Sequence, residues 1–225
     1  RRSSDLGEGA ANKFDLYVPA DKSQDAYGLV VYLHAGGFTG GDKAEDAEML
    51  EWLCSKGYVA AGINYTLFTE ENPDASVYSQ SEEIKAAMPS VVAAAEKLGY
   101  KLDRMAIAGG SAGGCLALIY AYRDAETSPL PVRMVFEAVG PASFHVEDWG
   151  IFGLDQSPAA AAGLFSVMSG QALTPEDIAS GAYLEAVKPI SADRWVTKDT
   201  VPSVLCYGAY DKMQPFAASK PLVAA

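Results

Sequence analysis

The sequence has 225 residues, 49% apolar and 20% charged, a balance that suits a folded domain and excludes a collagen-like, fibrous or largely disordered chain. Lys and Arg number 17 against 29 Asp and Glu, a net charge of −12, so the summed field repels phosphate and argues against nucleic acid or an anionic membrane as partner. Cys54, Cys115 and Cys206 form neither a disulfide framework nor a zinc motif, and each is predicted to pack as a small core residue.

Taken in order, Phe14–Val18 alternates and stops at Pro19, which predicts a half-buried strand. Gly28–His34 is a continuous apolar run, as in a strand covered on both faces. A glycine-rich loop, Ala35–Gly41, follows it. A helix is predicted over Ala44–Lys56, with Met49, Leu50, Trp52 and Leu53 on its apolar side and Lys56-Gly57 as its stop. Tyr58–Ile63 reads as the next strand. Ser79 and Glu82 have capping-box spacing ahead of a stripe of Ile84, Met88, Val91, Val92, Ala95 and Leu98. Pro89 falls inside that stripe and predicts a kink or a break.

Arg104–Ala108 is a short apolar strand that runs straight into Gly109-Gly110-Ser111-Ala112-Gly113-Gly114 and a buried helix, Cys115–Tyr122. Met134–Val139 and Pro202–Tyr207 read as further buried strands. Between them, Ser157-Pro158 and Thr174-Pro175 are N-cap signatures with proline in the first turn, so this stretch is predicted to be short helices. Strands alternating with helices imply a mostly parallel sheet with helices on both faces. No run of about 18 apolar residues is present to span a membrane. The first residue is Arg and no signal-peptide pattern is seen, and a cytoplasmic protein is expected.

Three groups carry chemistry. Gly109-x-Ser111-x-Gly113 sits between a strand and a helix, where a turn too tight for neighbouring side chains lifts the Ser111 hydroxyl off the sheet and places the Ala112 amide beside it. In His34-Ala35-Gly36-Gly37-Phe38 the amides of Gly36 and Gly37 are candidates for the rest of an oxyanion hole, and His34 is assigned to bracing that loop. Asp211, just past the strand at 202–207, stands where open α/β sheets place functional carboxylates, to orient a histidine. As a plain turn or N-cap aspartate, Asp211 also suits a helix starting near Gln214. Glu137 lies mid-strand and needs a buried partner.

These residues make the chain resemble the α/β-hydrolases of the carboxylesterase/lipase kind. It is most similar to hormone-sensitive-lipase-like enzymes and their small bacterial feruloyl-esterase-like and kynurenine-formamidase-like relatives. The resemblance rests on Phe14–Pro19, His34–Phe38 with Gly41-Asp42, Asn64–Leu67, Gly109–Gly114, Lys188–Ile190, Val201-Pro202 and Gly208–Asp211. Ala35 departs from it, since glycine is usual there. The resemblance implies one α/β-hydrolase domain over 1–225, with 141–201 as a helical lid insert. It implies an acyl-enzyme mechanism on a small or aryl ester, with Ser111 as nucleophile, Asp211 as acid and no metal or organic cofactor. Phe38, Tyr65, Gly110, His145 and Trp149 are expected to contact substrate, and Phe144, Ile151, Phe152, Phe165 and Met168 to build the lid.

The resemblance also implies a histidine after the acid, and none follows Asp211 here; the only histidines are His34 and His145. Three readings stand open: a histidine beyond Ala225, His145 in its place, or a non-catalytic descendant. The first is preferred, because the family's last strand and helix, absent from this sequence, would otherwise leave the strand at 204–207 as an exposed edge. Glu147 and Asp148 are second choices for the acid. Amidase or arylformamidase activity on the same residues remains an alternative, as does a homo-oligomer.

Overall fold

A computed structural model describes residues 2–5 and 13–225. Among the described residues seven strands form one sheet: β1 (Arg2–Asp5), β2 (Lys13–Tyr17), β3 (Tyr27–Leu33), β4 (Val59–Ile63), β5 (Leu102–Gly110), β6 (Val132–Ala138) and β7 (Ser203–Cys206). Their spatial order is β1-β2-β4-β3-β5-β6-β7. The pairs β1/β2 and β2/β4 are antiparallel and all others parallel, so β3 and β5 run side by side and end together at Leu33 and Gly109.

The helices cover two faces. On one side α2 (Val77–Lys97) and α3 (Ala112–Ile119) join Leu29, Val31, Leu33, Ile107 and Val135 in the main core. On the other, α1 (Ala47–Ser55) lays Leu50 against Tyr17 and Ala60, with Leu53 and Cys54 beside them. Met49 and Trp52 are exposed, so α1 buries a narrower stripe than its composition predicts. A 3₁₀ turn, Lys43–Asp46, replaces the predicted first turn of that helix. Between β6 and β7 come a 3₁₀ segment, Val146–Phe152, then α4 (Pro158–Ser169), α5 (Pro175–Ser180) and α6 (Tyr183–Val187). Ser157 and Thr174 cap α4 and α5 as their spacing with proline predicts. The chain closes with α7 (Lys220–Ala224).

Three expectations are corrected. Pro89 does not break α2, which runs through it. Pro89 is exposed, so its ring stands on the solvent side, while Ile84, Met88, Val91 and Val92 bury the opposite side. The capping box is Ser76 with Ser79, one turn earlier than Ser79 with Glu82. Cys206 is exposed, because β7 is an edge strand with Val204 uncovered on one face beside Phe136.

Two buried features tie the region after β6 in place. Glu137 has no solvent exposure, and its Oε2 accepts the Gly140 N–H at 2.8 Å. The Tyr207 hydroxyl donates to Gly140 O at 2.8 Å, so the ends of β6 and β7 are joined through one glycine. Further on, Phe165 of α4 is fully buried, edge-on to Phe144 at 5.8 Å and stacked on Tyr183 at 5.6 Å, with Trp149 at 6.4 Å.

Burial pushes the Glu137 carboxyl up from 4.5 to about 7, against the Gly140 amide, which favours the charged form. Between those values the folded protein holds a proton that the unfolded chain has released, so stability falls as pH rises through that window and then levels off. Glu137→Gln removes this slope: thermal midpoints measured at about pH 5 and about pH 8 should differ less in the variant than in the wild type. Phe165→Ala should cost about 3–5 kcal/mol in urea denaturation, since a large aromatic is deleted from a closed cluster.

Candidate active site

The sheet sets the geometry. At the end of β5 the chain turns into α3 so sharply that α3's first turn lies on the end of β3. A Cβ on Gly113 would sit 2.0 Å from Leu33 O, and one on Gly109 2.3 Å from the Gly113 carbonyl carbon. Both positions therefore require glycine. Ser111 is left between them with φ 52° and ψ −120°, outside the regions a serine ordinarily adopts. Its amide donates to Ala138 O at 2.7 Å and its carbonyl accepts the Cys115 N–H at 3.0 Å, so strand β6 and helix α3 hold the strained residue in place.

The loop after β3 is a second constrained turn. Gly36 O accepts from the amides of Thr39 and Gly40 at 3.1 and 2.9 Å. Phe38 adopts φ 69°, and its carbonyl accepts from Phe68 N and from Gln80 Nε2, each at 3.0 Å. Behind this loop His34 is buried and stacked on Tyr65, ring centroids 4.2 Å apart. Its Nδ1 lies 2.7 Å from Ala35 O, which makes that nitrogen the protonated one. The Tyr65 hydroxyl donates to His34 O at 2.8 Å. Burial lowers the His34 pKa, the bond to Ala35 opposing it, so the ring stays neutral as a brace.

Asp211 follows β7 on the loop after Gly208. Its Oδ1 accepts the amides of Met213 at 2.7 Å and Gln214 at 3.1 Å. Among the described residues nothing bonds Oδ2, and the two amide bonds to Oδ1 equally fit a turn aspartate ahead of Gln214.

Gly37, Phe38, Ser111, Trp149 and Asp211 all line one cavity of about 530 Å³, a size suited to a small organic ligand. Gly36 and Ala112 adjoin lining residues without lining it themselves. Tyr65, Gly110 and His145 do not line it. Tyr65 is spent on His34, and the His145 ring stands 3.8 Å from the Asp193 carboxylate. Neither Glu147 nor Asp148 lines the cavity. Of the predicted lid residues, Phe152 and Met168 do line it, whereas Phe144 and Phe165 are packed inside the aromatic cluster and Ile151 is exposed.

The remaining wall was not singled out from the sequence. Phe68, Val77, Leu164, Val167 and Met213 supply apolar surface, and Gln80 and Gln214 supply amides. Only Gln80 left a trace: it sits four residues before Ile84, on the stripe that α2 buries. Among the described residues no group of three His, Cys, Asp or Glu side chains is placed to hold a metal ion, and no helix is long and apolar enough to cross a membrane.

A kynurenine formamidase from Salmo salar is 30% identical over 118 residues, 52% of this chain and 37% of its own length. Esterase LipI from Mycobacterium tuberculosis is 29% identical over 117 residues, again 52% of this chain and 35% of its own length. The chain thus spans little more than a third of these two relatives. Among solved structures, an SN3-inhibited esterase B from Lactobacillus rhamnosis superposes with a TM-score of 0.72 at 22% identity, over 99% of this chain and 71% of that one. A truncated carbohydrate esterase from gut microbiota gives 0.73 at 18% identity, over 100% of this chain and 82% of that one. These likenesses establish the α/β-hydrolase fold. The model of the BD-FAE family matches residues 14–225, and the chain belongs to that family.

Proposed function

We propose that the protein is a serine hydrolase that cleaves a carboxylic ester through an acyl-enzyme. The observation that carries this reading is Ser111, held at φ 52° on the wall of a cavity that Gly37 and Asp211 also line. The esterase and formamidase relatives support the same chemistry.

In this reading Ser111 Oγ attacks the substrate carbonyl carbon while its proton passes to an imidazole. Asp211 Oδ2 orients that imidazole and stabilises its protonated form. The carbonyl oxygen becomes an oxyanion held by the amides of Gly36, Gly37 and Ala112, which are fixed before the reaction begins. The imidazolium returns its proton to the departing alkoxide. Water then attacks the acyl-serine by the same route and frees the acid. No step calls for a metal or organic cofactor. The base is assigned to a histidine beyond Ala225 in the natural protein, because neither His34 nor His145 lines the cavity. Residues 141–201 act as the lid, since Trp149, Phe152, Leu164, Val167 and Met168 all come from that stretch. Phe38 and Trp149 are the substrate-contacting residues retained from the sequence reading. The substrate is a small molecule with an apolar body.

A fluorophosphonate should label Ser111 in the full-length protein. Ser111→Ala should abolish labelling and lower p-nitrophenyl acetate turnover roughly a million-fold. An unlabelled Ser111 would leave a binding protein on this fold. The formamidase relative gives the amide alternative its own test: turnover of an aryl formamide that exceeds turnover of the matched aryl formate ester would favour it.

A further inference from the structure

The loop after β3 carries the proposed oxyanion donors, yet much of what holds it comes from elsewhere in the chain. Gly36 and Gly37 are exposed, and among the described residues their amides make no backbone hydrogen bond. Gly37 has φ 60° and Phe38 φ 69°, a backbone that a phenylalanine keeps only where its surroundings impose it. Gln80 of α2 has no solvent exposure, and its Nε2 donates to Phe38 O at 3.0 Å and to Thr66 O at 2.8 Å. Two carbonyl acceptors at one nitrogen settle which end of the amide is which. Glu83, three residues on and on the same side of α2, accepts the Thr66 N–H at 2.8 Å. Thr66 is therefore held at both of its backbone groups. Phe68, just beyond it, donates its own N–H to Phe38 O at 3.0 Å.

We infer that Gln80 is a positioning residue for the hydrolysis, aiming the Gly37 amide through a relay of two peptide planes, with Glu83 steadying the relay by anchoring Thr66. The first plane joins Phe38 C=O to Thr39 N–H, and Gln80 grips it at the oxygen. Its N–H donates to Gly36 O at 3.1 Å. Gly36 C=O and Gly37 N–H share the second plane and point in opposite directions, because a peptide bond is flat and trans. Holding Phe38 O thus sets where the Gly37 N–H points. Each carbonyl that accepts also polarises the N–H of its own plane, so the chain of bonds strengthens the last donor as well as aiming it. The role in hydrolysis rests on the esterase reading; the relay of hydrogen bonds does not.

The test uses the full-length protein, with activity expressed per serine titrated to its end point by a fluorophosphonate, so that unfolded enzyme does not count. Gln80→Met keeps the length of the side chain and loses its donor. Its kcat for p-nitrophenyl acetate should fall about tenfold while KM changes less than about twofold, since the oxyanion exists only in the transition state. A trifluoromethyl ketone, which a serine adds to as a tetrahedral oxyanion, should lose affinity in step with kcat/KM. Glu83→Ala, at a half-buried position, should show the same pattern at smaller size, and serves if Gln80→Met folds poorly. Met88→Ala, two turns further along α2 in the main core, should lower stability and leave kcat per titrated serine unchanged. A raised KM with kcat intact would make Gln80 a wall residue only. An equal fall of kcat in Met88→Ala would make it a general support of the helix. Either result would overturn the inference.

Hydrogen exchange supplies a second reading that needs no catalysis. In Gln80→Met the amides of Thr39 and Gly40, both bonded to Gly36 O, should exchange several-fold faster than in the wild type, while residues 112–119 keep their rates. Wild-type turnover that Gln80→Met leaves intact, or unchanged exchange in the loop, would sink this inference alone. Faster loop exchange in a protein whose wild type neither labels nor turns over any ester would sink the esterase reading and leave Gln80 the clamp of a binding loop.

Discussion

The site depends on a collision that glycine avoids. The first turn of α3 is pressed onto the end of β3, with no room for a side-chain carbon at Gly109 or Gly113. That contact forces the chain to reverse between β5 and α3 within a few residues, and the reversal throws Ser111 into positive φ. Among the described residues only three non-glycine positions have positive φ: Phe38, Ser111 and Val139. All three line the same cavity. Such backbone is held only where surroundings over-determine it. Here Ala138 O receives the Ser111 amide, Cys206 O the Val139 amide at 2.8 Å, and Phe38 O is bonded twice. Strain and the hydrogen bonds opposing it are thus concentrated at the C-terminal ends of β3, β5 and β6, where an open α/β sheet carries its chemistry.

How much of this was legible follows from how local each cause is. Gly109 and Gly36 answer to contacts a few residues away, with Gly113 and Gly40, so spacing announces the turn and the loop, whereas Gly113 answers to Leu33 on another strand. The apolar run of β3 announces a buried strand, because both faces are covered there; that of β6 misleads, since Met134 and Phe136 are exposed on one face. Pro89 misleads because its cost depends on which side of α2 meets water, and that is a tertiary fact. Cys206 misleads because an apolar run looks the same in a central strand and at an edge. Tyr65 is placed next to the right loop by its position after β4, yet its ring is taken up by His34, a partner 31 residues earlier.

The cavity wall was largely hidden for a related reason. Leu164 and Val167 read as an ordinary helix face, and only Met168 beside them was expected in the lid. Gln80 is different. It interrupts a stripe that should be apolar, and a polar residue at a core position must find partners. Its nitrogen finds two, in the loop after β3 and in the segment after β4. This makes α2 more than a cover for the sheet, because the same side chain that lines the cavity also holds the carbonyl of the strained Phe38.

Chemistry and selectivity therefore come from different parts of the chain. The groups proposed to move protons or hold an oxyanion sit at strand ends, tied to a sheet whose core is closed. The groups that shape the cavity come from α2, from the segment after β6 and from the loop after Asp211. Glu137 and Tyr207 link these layers: through Gly140 they fasten the end of β7 to the end of β6, and so fix where the Asp211 loop leaves the sheet. A substitution in α4 can then reshape the cavity while Ser111 keeps its conformation, whereas a side chain added at Gly113 would disturb β3 and α3 together. The fold can vary its ligand without rebuilding its nucleophile, since the contact that strains Ser111 involves none of the residues that line the apolar wall.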